Sequence, residues 1–508
     1  MRDAVPYVVA LTGVAGAAML MRSRGKRRWK ACAVVVALPF WLLAVGVVWP
    51  ESRAPLPQRV PDRYLIERVR VVDVGAGTVS QPTHIEVAGG VIRAIGAKRP
   101  SSPLPRIDAA GAYAVPGFWD MHVHSFVTTP QLHHALMLSH GVTSVRDMMD
   151  CAAPRDPLVA CIADKKRWTE EAESGERAGP RYVSVASFYF DDPALTPTEA
   201  RRRAEAFIRA GATEIKVYNR VSLAAYRALA DVSAQHAVPL SGHLPRAVPL
   251  TTALASGQRR FEHARLLPDS CGPPTDDGQP PMPRMRTTLR GFDARGCAAL
   301  IARMAEVGAT LVPTHVTRED DLRAHAGTGR GLEWLDPLSR WAWDDDAAGT
   351  RLAYPGPSGA ATLAAYHRRG IALTGAAHRA GVRILVGTDV VPAGPRYHDE
   401  LALLEQAGLS PARILRAATL SAAQFAGRDR SLGSIAPGKT VDLVLLRTNP
   451  LETIAATRQI DGLIFAGRLY RHPDLQALNQ FTLTQANHPA NWAKMLWGFL
   501  TSPSAREL

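Results

Sequence analysis

Apolar positions fall in short runs between turns along most of the chain, and in one long unbroken run near its beginning. Residues 31–49 carry no charged side chain, and a stretch of that length can cross a bilayer. Residues 4–21 are also apolar but rich in Ala and Gly, which makes them a marginal span. The stretch 51–63, with several Pro and Arg residues, reads as a linker. Beyond it the texture changes. Alternating runs at 65–73, 84–87 and 91–95, separated by Gly turns, predict strands of a small β unit. Similar runs return at 433–435, 442–446 and 462–467. The flanks 64–115 and 428–472 are therefore expected to form one composite β-sandwich.

Between the flanks, apolar β-rich runs alternate with helical patterns. The runs are 114–120, 143–146, 182–186, 214–217, 239–242, 260–263, 310–314 and 384–387, and segments such as 199–210 and 222–235 read as helices. Eight strand–helix units over roughly 300 residues predict an α/β fold, a (β/α)8 TIM-like barrel spanning 116–427. Two long insertions, 266–296 and 317–365, follow strands six and seven; long loops on that face usually wall or cover a substrate site. A C-terminal extension, 473–508, ends in an amphipathic-looking stretch with Trp492, Trp497, Phe499 and Leu500. Packing on the body is its expected role.

Chemistry in such a barrel sits at the C-terminal ends of the strands. At those places stand His122 and His124, then Lys216, His243, His263 and Asp389. The residues of a strand alternate faces, so His122 and His124 project the same way, and paired imidazoles suit zinc and similar metals. An ammonium beside metal ions would be repelled, but a neutral Lys216 amine can add carbon dioxide to give a carbamate whose oxygens bridge two cations. The expected arrangement is His122, His124, Asp389 and the carbamate on one ion, with His243, His263 and the carbamate on the other. A hydroxide between them would be the nucleophile, and Asp389 would pass its proton to the leaving nitrogen. His315, ending strand seven, is a further candidate for substrate contact. His398 lines the pocket or caps a helix, and Arg146 with Asp147 are expected to form structural pairs. His133, His134, His140, His367 and His378 read as surface or packing residues.

The formal charge of +14 would suggest a nucleic-acid partner if it were spread over the body. Six of the positive residues (Arg22, Arg24, Lys26, Arg27, Arg28 and Lys30) instead crowd one short run. Such a run favours the cytoplasmic side. The body after residue 50 is then expected on the periplasmic or extracellular side of the cytoplasmic membrane, anchored by one or two transmembrane helices within 1–50. A start at Met21 would leave a single basic-headed signal anchor. The remaining basic surface lacks aromatic interleaving, so no nucleic acid is expected. Apart from Cys32, four cysteines remain; the simplest of their three pairings is Cys151 with Cys161 and Cys271 with Cys297, which an oxidising compartment would permit.

The sequence resembles the amidohydrolase superfamily, in particular its imidazolonepropionase-related and Xaa-Pro dipeptidase-like branch. The resemblance is carried by Pro116-Gly117-Phe118-Trp119-Asp120-Met121-His122-Val123-His124, Gly141-Val142-Thr143-Ser144-Val145-Arg146-Asp147, Ile215-Lys216-Val217-Tyr218, Gly242-His243, Glu262-His263 and Gly387-Thr388-Asp389. A tail motif from Leu432 through Pro437-Gly438-Lys439 to Val444 completes the set. It implies the barrel with a composite sandwich, hydrolysis at carbon–nitrogen bonds, and a carboxylated Lys216 holding two divalent ions, zinc being the expected metal. It also implies that Tyr218 polarises the substrate carbonyl. The expected activity is hydrolysis of an amide bond in a small molecule, a dipeptide or an N-acyl amino acid, with Arg220, Arg246 or Arg265 holding a substrate carboxylate. The alternatives are a cyclic-amide hydrolase or deaminase of the same fold, and an inactive membrane-anchored binding or scaffold protein. Self-association into a homo-oligomer is left open.

Overall fold

A computed structural model describes residues 27–96, 103–275 and 278–506, with side chains from residue 38 to 505. The apolar segment 4–21, Met21 and the basic residues up to Lys26 lie outside the described residues. The chain enters as a 22-residue helix, Arg27–Val48. Among the described residues no helix is long and apolar enough to cross a membrane.

The stretch expected to be a free linker is instead pinned to the body. Glu51 pairs with Arg177 at 2.5 Å, Val60 N–H donates to the Gly467 carbonyl at 2.9 Å, and Arg468 donates to the Pro57 carbonyl. The pattern of Pro and Arg did not reveal this, because the partners lie far along the chain.

The two flanks meet in one nine-stranded sheet. Its order runs Arg468–Arg471, Ile460–Phe465, Leu443–Leu446, Tyr113–Pro116, Arg63–Asp73, Thr83–Ala88 and Val91–Gly96. The 11-residue strand Arg63–Asp73 is the join: its first half pairs with Thr83–Ala88 and its second with Tyr113–Pro116. Its register shifts between Ile66 and Val69, where Arg68 takes a left-handed φ of 54°. Ile66, Val69, Ile85, Val87, Leu443 and Ile464 fill a core against this sheet.

Eight parallel strands carry the larger unit: Phe118–Val123, Val142–Asp147, Arg181–Val185, Ile215–Val217, Leu240–Gly242, Arg260–Glu262, Thr310–Val312 and Arg383–Ile384. Met121 N–H donates to Val386 O at 2.8 Å and Asp389 N–H to His122 O at 2.8 Å, which ties the eighth strand region to the first. The run read as one strand over 114–120 is in fact two. Tyr113–Pro116 belongs to the flank sheet and Phe118–Val123 to the barrel. Gly117 is the break, and a Cβ there would lie 2.1 Å from Thr143 Oγ1 and 2.5 Å from Asp442 Oδ1. Only glycine lets the chain pass between the layers at that point.

Both insertions fold as helices. The first holds Leu266–Cys271 and Pro281–Arg290, and the second runs from His315–His325 through Pro337–Ala353 to Gly356–Arg379. Disulfides join Cys151 to Cys161 and Cys271 to Cys297, the local pairing expected. The C-terminal helices His472–Ala486 and Pro489–Thr501 pack on the body, where Thr128 Oγ1 donates to Met495 Sδ at 3.0 Å. His133, His134 and His140 are packing rather than surface residues; His134 Nε2 contacts Tyr182 Oη at 2.8 Å and His140 Nδ1 the Leu136 carbonyl at 2.8 Å.

Candidate active site

The strand ends bring most of the expected residues to one place. His122, His263 and Asp389 offer donor atoms that all lie within 4.8 Å of one another. Asp389 Oδ1 stands 3.1 Å from His124 Nε2 and 3.4 Å from His122 Nε2. His263 Nε2 and His243 Nε2 are 2.8 Å apart. The tightest group thus crosses the two halves expected from the sequence, with Asp389 and His122 of one half beside His263 of the other.

Two of the imidazoles, His122 and His263, are oriented from behind. His122 Nδ1 meets Glu262 Oε2 at 2.9 Å, and His263 Nδ1 meets Thr314 Oγ1 at 2.8 Å. Those bonds leave the Nε2 atoms aimed inward. His122 Nε2 is buried without a hydrogen-bond partner. A buried lone pair of that kind, among imidazoles and a carboxylate, fits a divalent cation, and carboxylate–histidine pairs commonly set the tautomer of a metal ligand. Burial and the Lys216 charge hold His124 neutral, down to about 4. Burial opposes ionisation of Asp389, but His122 and His124 beside it bring its carboxyl well below the usual range. The site therefore presents a neutral His124 imidazole and the Asp389 carboxylate, the forms that bind metal.

Lys216 is buried in the fourth strand, its Nζ 6.0 Å from the ring centroid of Tyr189 and 5.8 Å from that of Tyr218. Burial pushes its ammonium down to about 8, against the raising effect of Asp389. Tyr218 lies one residue past that strand with its ring centroid 3.8 Å from that of His243, and burial pushes its phenol up.

Among the residues that support the cluster, Glu214, Glu262 and Asp120 were given no role from the sequence. Arg146, expected to pair structurally, does so wholly inside, donating to both oxygens of Glu214 at 2.8 and 2.6 Å and to Glu262 Oε1 at 2.9 Å. Burial alone would raise the Glu262 carboxyl, but Arg146 and His122 hold it below the ordinary range. Asp120 accepts from Thr388 N–H at 3.0 Å and Thr388 Oγ1 at 2.7 Å, bracing the segment that carries Asp389. The available signals were adjacency, Glu262 to His263 and Asp120 two residues before His122. The structural pairing expected of Asp147 is seen with Lys165, at 3.0 Å.

Three candidates lie elsewhere. His315 is fully enclosed with both ring nitrogens unpartnered, its ring 6.2 Å from that of His367. Among the described residues it shares no hydrogen bond, ion pair or ring contact with the cluster, and it begins the helix His315–His325. His398 packs inside, its Nδ1 3.1 Å from Thr457 Oγ1. Arg220 is a surface residue paired with Asp191 at 2.8 Å. Arg246 and Arg265 do face the site, in a cavity of about 500 Å3 that begins at His243 and Glu262.

The chain matches the amidohydrolase family over residues 113–470, which takes in all eight barrel strands and the strand-end ring. The chain belongs to the amidohydrolase family. Solved structures of this amidohydrolase's fold include a bottromycin amidohydrolase, 24% identical, with a TM-score of 0.63 over 87% of this chain and 94% of that one. A Xaa-Pro dipeptidase with bound methionine in its active site is 18% identical, with a TM-score of 0.57 over 80% of this chain and all of that one (100%). A local stretch of 86 residues is 42% identical to adenine deaminase of Shigella flexneri, covering 16% of this chain and 14% of that enzyme. The amidohydrolase thus matches a small part of the deaminase's length.

Proposed function

We propose that this amidohydrolase is a metal-dependent hydrolase of an amide bond in a small molecule, a dipeptide or an N-acyl amino acid. The observation that carries the reading is the convergence of His122, His263 and Asp389 donor atoms within 4.8 Å, with a cavity of about 500 Å3 lined by the neighbouring His243 and Glu262. His122, His124, His243, His263, Asp389 and a carboxylated Lys216 would hold two divalent ions, zinc being the expected metal. Bound there, the metal would supply a water of near-neutral pKa and polarise a carbonyl. The chain's own residues do the rest. Asp389, ionised and facing His124, accepts a proton and returns it to the departing nitrogen. Tyr218 flanks His243 and offers a phenolic O–H to the substrate carbonyl oxygen. The neutral fraction of Lys216 that burial provides is the form that can take up carbon dioxide. A scaffold would gain nothing from burying this set and orienting it through Glu262 and Thr314.

The test is metal content of the purified full chain, prepared with zinc and bicarbonate. Two metals per chain, falling sharply in Lys216→Ala, are expected, with release of free amino acid from dipeptides or N-acyl amino acids. One metal, insensitive to that change, with ammonia as the product, would favour the second reading, a deaminase, which the local identity to adenine deaminase supports. A folded protein that takes up no metal would sink the hydrolase reading.

We place the enzyme at the cytoplasmic membrane with its body on the outer side. The uncharged residues 31–49 and the basic run before them support this. So do Phe40 and Leu42, 60% and 54% exposed on the helix Arg27–Val48. The two disulfides suit an oxidising compartment.

A further inference from the structure

Thr314 stands where the N-cap of a helix belongs, but its side chain does not act as one. It precedes the helix His315–His325, and a threonine in that place usually accepts from an N–H of the first turn. Here the side chain makes no capping bond. The hydroxyl is turned instead to His263, with Oγ1 2.8 Å from Nδ1, nearer than Asp389 Oδ2 at 3.6 Å. Thr314 holds a φ of 45° and a ψ of 50°, and a β-branched residue in the left-handed region is strained. His263 is left-handed too, with a φ of 71°. Two strained residues thus share one hydrogen bond, and the helix beyond them lacks its own cap.

Glu400 supplies that cap from elsewhere. It is wholly buried on the helix Ala393–Gln406, which follows Asp389 in the chain, and its Oε2 accepts the Val316 N–H at 2.9 Å. Val316 is the second helical residue, and its N–H is one that a capping threonine would take. Acceptance is all that the helix asks of Glu400. Burial pushes its carboxyl up to about 8, against the lowering effect of the His315 and Val316 N–H groups, so a neutral carboxyl oxygen can do the work. We infer that Glu400 is a positioning residue of the candidate metal site: by capping the helix His315–His325 it frees the Thr314 hydroxyl to hold His263. The inference rests on the metal-site reading. Without that acceptor the buried Val316 N–H is left unpaired, which is unfavourable. The Thr314 hydroxyl can answer it only by taking up its ordinary capping place, and so by leaving His263.

The experiment measures zinc affinity of the metal-free full chain against a competing chelator. Glu400→Leu, similar in size and unable to accept, should weaken zinc binding by about 10-fold, as loss of an outer partner does. Glu400→Gln keeps an acceptor oxygen and should bind as the wild type does. Thr314→Val keeps the branching, loses the hydroxyl, and should weaken zinc to a similar degree. The double change Glu400→Leu with Thr314→Val should be no weaker than Thr314→Val alone, because the two act along one path. Wild-type affinity in Glu400→Leu would overturn the inference, and so would a loss in Glu400→Gln as large as in Glu400→Leu. Losses that multiply in the double change would overturn it as well, since they mark two independent supports. If Glu400→Leu does not fold, Glu400→Asp draws the carboxyl back by one methylene and should show the same pattern, a loss alone and none added to Thr314→Val. A wild type that binds no zinc would overturn the metal-site reading and this inference together, whereas the variant arms overturn the inference alone.

Discussion

His122 is the residue through which the interior reaches the candidate metal site. Glu262 fixes its Nδ1, and Arg146 fixes Glu262 while gripping Glu214, which Arg260 also meets at 3.0 Å. Glu262→Gln would keep the shape and remove the charge that makes His122 a stronger donor. Outer partners of this kind are worth about 10–100-fold in metal affinity, so zinc should be lost to a competing chelator at correspondingly lower chelator concentration. Unchanged affinity would show that His122 is held by packing alone. Glu262→Ala differs in kind: it leaves Arg146 short of a buried counter-charge, and loss of one partner from such a group costs about 3–5 kcal/mol. The ligand candidates were legible in the sequence because each stands where an apolar run ends. Their supports were not. Glu262 is a carboxylate inside a strand and Glu214 stands just before one, and only the folded barrel shows that Arg146 lies between them.

Among the elements, apolar runs and turns located all eight barrel strands to within a few residues, because a strand buried on both faces must be almost wholly apolar. The division at Gly117 escaped, since the apolar run continues across two sheets and glycine alone marks the crossing. The insertions turned out helical and are stapled where the first begins. Cys271–Cys297 ties Leu266–Cys271 to Ala294–Glu306, and Asp293 N–H donates to the Cys271 carbonyl at 2.9 Å. The helix so fixed follows Arg265, and Pro273 and Pro274 beyond it line the cavity. Closing a loop with a sequence separation of 26 residues stabilises by about 3 kcal/mol in the chain-entropy account. The double change Cys271→Ser with Cys297→Ser is therefore expected to lower the thermal midpoint and to raise KM more than it lowers kcat. A change in midpoint without any change in KM would separate the staple from the cavity.

At the scale of the whole molecule, the first and last α-helices among the described residues lie together. The composite sheet joins the flanks, as their matching texture suggested, and the helix Arg27–Val48 lies against Pro489–Thr501. Their contact is close: a Cβ at Gly46 would fall 2.4 Å from Ala493 Cβ. The pinned residues 51–62 make the first helix an extension of the body rather than a tethered leash, which composition alone could not reveal. The second helix presents Leu496, Phe499 and Leu500, 39%, 41% and 67% exposed, and the first presents Phe40 and Leu42. Exposed apolar residues on two helices that pack together suit lipid better than water. On the proposed placement, the full chain should stay with the membrane fraction through both high salt and alkaline carbonate, because an inserted apolar helix is not held by charge. Release by salt alone would mean that the basic run holds the protein to anionic headgroups, and would overturn the anchor. Gly46→Leu would push the two helices apart while leaving residues 31–49 apolar. Retention should therefore survive that change, whereas protease cleavage in residues 51–62 should accelerate as the body comes loose from its anchor.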